Sequence, residues 1–166
     1  LWTLSAYFIG LNANAFIYDA LFSALIVMTF IDIDTKEIPN GIVVFIIILS
    51  IPLFFTAKDV VWWHRLVGAV VISVPLYVIA LVTGGIGGGD IKLYFALGLV
   101  LGLYPTLVSA FIAIVSAGLI GGALLLTKKV RKGYELPLGP FIALGAVVTV
   151  FAGTPIIDGI KNIFGI

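Results

Sequence analysis

The chain has 166 residues, 62% of them hydrophobic and 10% charged, and a mean hydropathy of +1.29. A soluble domain is about 45–50% apolar and about 25% charged, so a soluble fold is excluded and an integral membrane protein is expected. The net charge of +1 gives no case for nucleic-acid binding; the lack of cysteine excludes disulfides, thiolate metal sites and a cysteine nucleophile within these residues, and a lone His64 excludes a multi-histidine site.

The opening Leu1 to Gly10 reads as the tail of a membrane helix. It has neither a basic n-region nor a small-residue cleavage site, so it is not read as a signal peptide, and upstream sequence is expected before it. The first full apolar segment runs from about Ala15 to Ile31 and stops at an acidic island, Asp32-Ile33-Asp34-Thr35-Lys36-Glu37-Ile38-Pro39-Asn40. The second runs from about Gly41 to Ala57. The third runs from about Val61 to Thr83 and stops at a glycine island, Gly84-Gly85-Ile86-Gly87-Gly88-Gly89-Asp90. The fourth, from Ile91 to Tyr104, is short, roughly 20 Å at 1.5 Å per residue. The fifth spans about Thr106 to Thr127 and the sixth about Gly139 to Phe151. The expectation is an all-α, polytopic membrane protein with about six transmembrane helices and a partial N-terminal helix. No linker, second domain or internal repeat is visible, so residues 1–166 are read as a single domain.

Alternate crossings put Lys36, Lys92, Lys128, Lys129, Arg131 and Lys132 on one side, and Lys58, Arg65 and Lys161 on the other. The excess of positive charge marks the first side as cytoplasmic. Both islands then face the cytoplasm, and His64 faces away from it. Trp2, Trp62 and Trp63 fit membrane interfaces, Pro52 and Pro75 fall inside apolar segments where they can kink a helix, and Gly121-Gly122 can admit a close helix neighbour.

The islands are where the chemistry is expected. Ionisable groups at the edge of a membrane core are costly, which makes them functional candidates. Asp32 ends one apolar run, Asp90 begins another, and both lie at the same face. Two carboxylates a few Å apart cannot both ionise comfortably, so one keeps a proton near neutral pH. Such a pair supplies a base to activate water and an acid to protonate a leaving amine, with no metal or cofactor needed. The glycines permit positive φ and close backbone approach, and irregular backbone at membrane depth is tolerated where it lines a watery cavity. A phosphate-binding loop fits poorly, because no Gly-Lys-Ser/Thr follows and Asp90 would repel the anion. Other readings stay open: solvated interfacial acids, Asp90 as a helix cap, an ion- or proton-coupled transporter, or a scaffold that binds other membrane helices.

Asp32 to Asn40 resembles the first aspartate motif of the type IV prepilin peptidases, Asp, six residues, then Pro followed by Asp or Asn. Gly87-Gly88-Gly89-Asp90-Ile91-Lys92-Leu93 resembles their Gly-x-Gly-Asp motif with its trailing Lys-Leu. Leu136-Pro137-Leu138-Gly139-Pro140-Phe141-Ile142-Ala143-Leu144-Gly145 resembles a third stretch of the bacterial enzymes. The resemblance implies a multi-pass aspartic endopeptidase of the bacterial inner membrane. It would cut the basic leader of prepilins or pseudopilins at the cytoplasmic face, without a cofactor or metal. Its catalytic pair falls on Asp32 and Asp90. Asp34, Gly87, Gly88, Gly89 and Lys92 fall in supporting or substrate-binding positions. Many bacterial members also carry an N-terminal region with Cys-x-x-Cys pairs linked to N-methylation, and no such motif occurs in these residues.

Overall fold

A computed structural model describes residues 2–3, 13–57, 60–127 and 136–164, and the side chains of 13 and 153–164 fall outside that description. The expected partial N-terminal helix and the basic run from Lys128 to Glu135 lie outside the described residues. Six helices follow in order: α1 (Ala13–Thr35), α2 (Asn40–Thr56), α3 (Trp62–Thr83), α4 (Gly88–Leu101), α5 (Leu103–Leu126) and α6 (Gly139–Phe164). Their positions follow the six apolar segments, and no strand occurs among the described residues.

Three of them, α1, α3 and α5, are long and apolar enough to cross a membrane; α2 and the Gly139–Ala152 part of α6 are shorter apolar helices. Large apolar side chains such as Phe30, Phe55, Val82, Phe111 and Leu119 stand exposed on these helices. In water such a surface would be unstable, whereas lipid covers it at no cost.

The helix ends follow from local chemistry. Lys36, at φ 56°, stops α1 in a left-handed conformation, and its N–H donates to the Asp32 carbonyl at 2.9 Å. Pro39 then opens α2, its carbonyl accepting from the Ile42 N–H at 3.1 Å. Gly84 ends α3 at φ 63°, a conformation glycine adopts without a Cβ penalty. A single residue, Gly102 at φ 82°, separates α4 from α5.

The short α4 lies at the centre. It packs against α3 and α2 and also touches α5 and α6, while α1 joins α2 to α6 and α5 joins α3 to α6. At 14 residues it is about 21 Å long, less than a hydrocarbon core of about 30 Å. It is buried along most of its length, so it need not meet lipid at either end. Backbones come close between α3 and α4, where a Cβ on Gly98 would overlap the Gly68 backbone, and between α5 and α6, where a Cβ on Gly145 would overlap Ser109 O. Among the described residues, no helix takes up the close approach that Gly121-Gly122 can admit. A Cβ at Gly121 would make ordinary contact with Leu136, and Gly122 has open space.

An end of α4 inside the protein leaves carbonyl groups without intrahelical partners. Arg65 of α3 reaches them: its Nη1 donates to Leu99 O at 3.1 Å and to Val100 O. Arg65 is fully buried, with its guanidinium 5.8 Å from the Phe54 ring centre. This corrects its reading as a flanking topology charge. It is an internal helix cap, placed where water is not at hand to serve those carbonyls. His64 beside it stacks edge-on against Trp63 and Tyr104, at the end of α3 remote from the glycine island.

Candidate active site

The two islands meet at one end of the bundle. Asp32 lies in the last turn of α1 and is 4% exposed; Asp90 lies in the first turn of α4 and is 9% exposed. The carboxylates are near enough for their charges to act on each other. Asp90 belongs to a helix too short to span. Its carboxyl is pushed up to about 6, first by burial and then by the charge of Asp32, against the opposing effect of a backbone hydrogen bond from Gly87.

Asp32 is held from the side by the third sequence block. The Gly139 N–H, at the start of α6, donates to Asp32 Oδ2 at 2.8 Å. Backbone N–H groups at a helix N-terminus have no intrahelical acceptor and suit an anion. No side chain fits at 139, because a Cβ there would lie 2.7 Å from Asp32 Oδ2 and 2.8 Å from Met28 Sδ. The sequence reading assigned no role to Gly139. The available signal was a glycine between Leu138 and Pro140 at the start of an apolar run.

The glycine island acts by close approach more than by positive φ, since only Gly84 of this loop has a left-handed backbone. A Cβ at Gly89 would lie 2.9 Å from Ile38 Cβ, so the second motif presses directly on the loop of the first. At Gly87 a Cβ would come within 3.0 Å of Asp90 Oδ2, whereas Gly88 faces open space.

Two expected supporting residues sit elsewhere. Asp34 is exposed; two residues past Asp32 is about 200° around a helix, which turns it away from the pair. Lys92 is exposed, and its Nζ donates to Asn40 Oδ1 at 3.0 Å. It therefore joins α4 to the Pro39-Asn40 start of α2. Among the described residues, no three His, Cys, Asp or Glu side chains gather as a metal-ligand set.

Beside Asp90 lies a small cleft of about 60 Å³ whose other walls include Ile72, Leu76, Tyr94, Ala113, Leu138 and Phe141. A wider groove of about 650 Å³ opens between α2 and α3, over Ile91, Lys92 and Phe95 of α4.

Residues 20–122 match the Type IV leader peptidase family. The chain belongs to that family. Both aspartates and the close contact between their loops fall inside the matched region, while Gly139 lies beyond it. The chain is 34% identical over 151 residues to the prepilin leader peptidase/N-methyltransferase of Bacillus subtilis (strain 168), covering 90% of this chain and 60% of the relative. The protein of the same name from Burkholderia pseudomallei (strain 1026b) is 33% identical over 150 residues, covering 81% of this chain and 46% of the relative. That of Stutzerimonas stutzeri is 30% identical over 139 residues, covering 80% and 48%. The chain thus spans about half to three-fifths of the length of these curated relatives. No solved structure matches it.

Proposed function

We propose that this chain is the cleaving part of a membrane aspartic endopeptidase, with Asp32 and Asp90 as its dyad. Its substrate is the N-terminal leader of a type IV prepilin or pseudopilin. The observation that carries the reading is the meeting of two buried, mutually interacting carboxylates from α1 and α4 at one end of the bundle.

Two like charges this close share a proton. Asp90, with its raised value, is suited to hold it, although the pair titrates as a unit. Asp32 then takes a proton from water as the oxygen adds to the scissile carbonyl carbon. The tetrahedral intermediate collapses with loss of the C–N bond, and the departing amine receives a proton from the pair. Gly139 keeps the Asp32 carboxylate in place for this. The glycine island supplies backbone without side chains, where an extended peptide and water can approach.

The proposed setting is a bacterial inner membrane with the dyad at the cytoplasmic face. Lys36 and Lys92 support that orientation, because both belong to the aspartate end of the bundle and the cytoplasmic side carries excess Lys and Arg. No observation favours the transporter alternative, which calls for flux and no cleavage.

The test is the chain in sealed vesicles with a prepilin-type peptide offered to one face at a time. The reading calls for a single cut between leader and mature segment, only when the peptide meets the face bearing Lys36 and Lys92. Cleavage from the opposite face would overturn the orientation, and flux without cleavage would overturn the peptidase.

A further inference from the structure

Among the buried polar groups that the mechanism above does not use, the Tyr94 hydroxyl is the one beside the dyad. Tyr94 follows Asp90 by four residues on α4, so both project from the same side of the helix. It is 4% exposed, and its hydroxyl has no hydrogen-bond partner among the described residues. Tyr94 and Asp90 interact electrostatically and share the wall of the cleft of about 60 Å³, whose remaining lining is apolar.

A buried hydroxyl left without a partner costs about 1–3 kcal/mol. Phenylalanine would fill the same ring space at no such cost, and buried tyrosines usually find a partner for the O–H. The unsatisfied donor therefore calls for an acceptor that arrives from outside. A peptide carbonyl is such an acceptor, and it becomes a stronger one when water adds to its carbon and negative charge gathers on oxygen. The apolar walls exclude competing water, which strengthens that bond further.

Resting on the dyad reading, we propose that the scissile peptide bond is seated in this cleft and that Tyr94 Oη donates a hydrogen bond to its carbonyl oxygen. Tyr94 keeps its own proton throughout. Water supplies the new C–O bond, the C–N bond breaks, and the dyad carries the protons, so the hydroxyl stabilises charge without changing the balance of the reaction.

The test uses the whole chain in vesicles with a fluorogenic leader peptide, comparing wild type, Tyr94→Phe and Asp90→Asn. Tyr94→Phe keeps the ring and its packing, so its melting temperature should match wild type. Its kcat should fall about 10- to 100-fold with KM changed less than about twofold, as for loss of a donor used mainly in the transition state. A folded Tyr94→Phe with wild-type kcat overturns the proposal. So does a kcat loss that comes with a shifted pH profile, because the hydroxyl would then serve Asp90 and not the substrate. If wild type cuts no leader peptide, or Asp90→Asn cuts as well as wild type, the dyad reading fails and this inference falls with it.

Discussion

The two ends of α4 handle buried charge in opposite ways. At its C-terminal end, the positive Arg65 faces the carbonyls of Leu99 and Val100, which welcome a cation at a helix C-terminus. At its N-terminal end, Asp90 faces another carboxylate. A protein that wanted only a stable helix would place partners at both ends. On the proposed function, the unfavourable pairing at one end serves chemistry, since an aspartate that resists ionisation can move protons. The difference teaches where stability and chemistry lie in this bundle: one end is built for the fold and the other is held against its own repulsion.

That contrast predicts opposite mutational signatures, and the largest is at the stable end. Arg65→Ala should lower stability by about 3 kcal/mol, because it leaves the two buried carbonyls of Leu99 and Val100 without their donor. A thermal melt in vesicles checks this. If Arg65→Ala melts with wild type and only activity falls, the division between the two ends is wrong.

The next effect is on the scaffold of the dyad. Gly139→Ala should reduce cleavage by about 100-fold, the size expected when a reacting group is displaced by about 1 Å. The substitution puts a Cβ where Asp32 Oδ2 and Met28 Sδ stand. Steady-state kinetics on the folded variant give the answer, and a Gly139→Ala enzyme near wild-type rate would remove Gly139 from the account.

The pH dependence sharpens the comparison further. One carboxyl of the pair must keep its proton, and that of Asp90 is lost as pH rises through about 6. The ordinary aspartate value is about 3.9. Cleavage should therefore persist above the ordinary carboxylate range and decline with a midpoint no lower than about 6, since seating a substrate excludes water and raises the value further. A pH–rate profile with its falling limb near pH 4 would contradict the shared proton.

The smallest effects separate residues within one loop. Gly89→Ala, which crowds Ile38, should cost about tenfold, and Gly88→Ala, facing open space, should stay within about twofold. Parallel assays of the two decide whether close packing of the motifs matters. Equal losses would show that this loop acts through backbone freedom instead.

Much of this architecture could be read from residue order. Apolar runs ended by Pro39, Gly84 and the charged island located the helices within a few residues, because breakers act locally. Asp32 and Asp90 stood out because carboxylates at the ends of apolar runs are rare and costly. What escaped depends on contacts between distant parts of the chain. Arg65 reads in sequence only as a charge near the start of the third apolar segment, and its role depends on α4 ending beside it. Gly139 acts through a backbone N–H and the space a side chain would occupy, neither of which leaves a mark in its identity. Tyr94 reads as one more core aromatic, and only its missing partner distinguishes it. Asp34 reads along the chain as an acidic neighbour supporting Asp32, but helical rotation turns it outward.

The most direct measurement places Asp32→Asn and Asp90→Asn beside wild type in the same vesicles and records cleavage rate and melting temperature together. The account predicts that each variant loses cleavage by about 1000-fold or more, within the range seen when one member of a catalytic set is removed. It also predicts that each melts at or above the wild-type temperature, because like-charge repulsion is relieved. A folded variant of either aspartate that cuts the leader at the wild-type rate would contradict it.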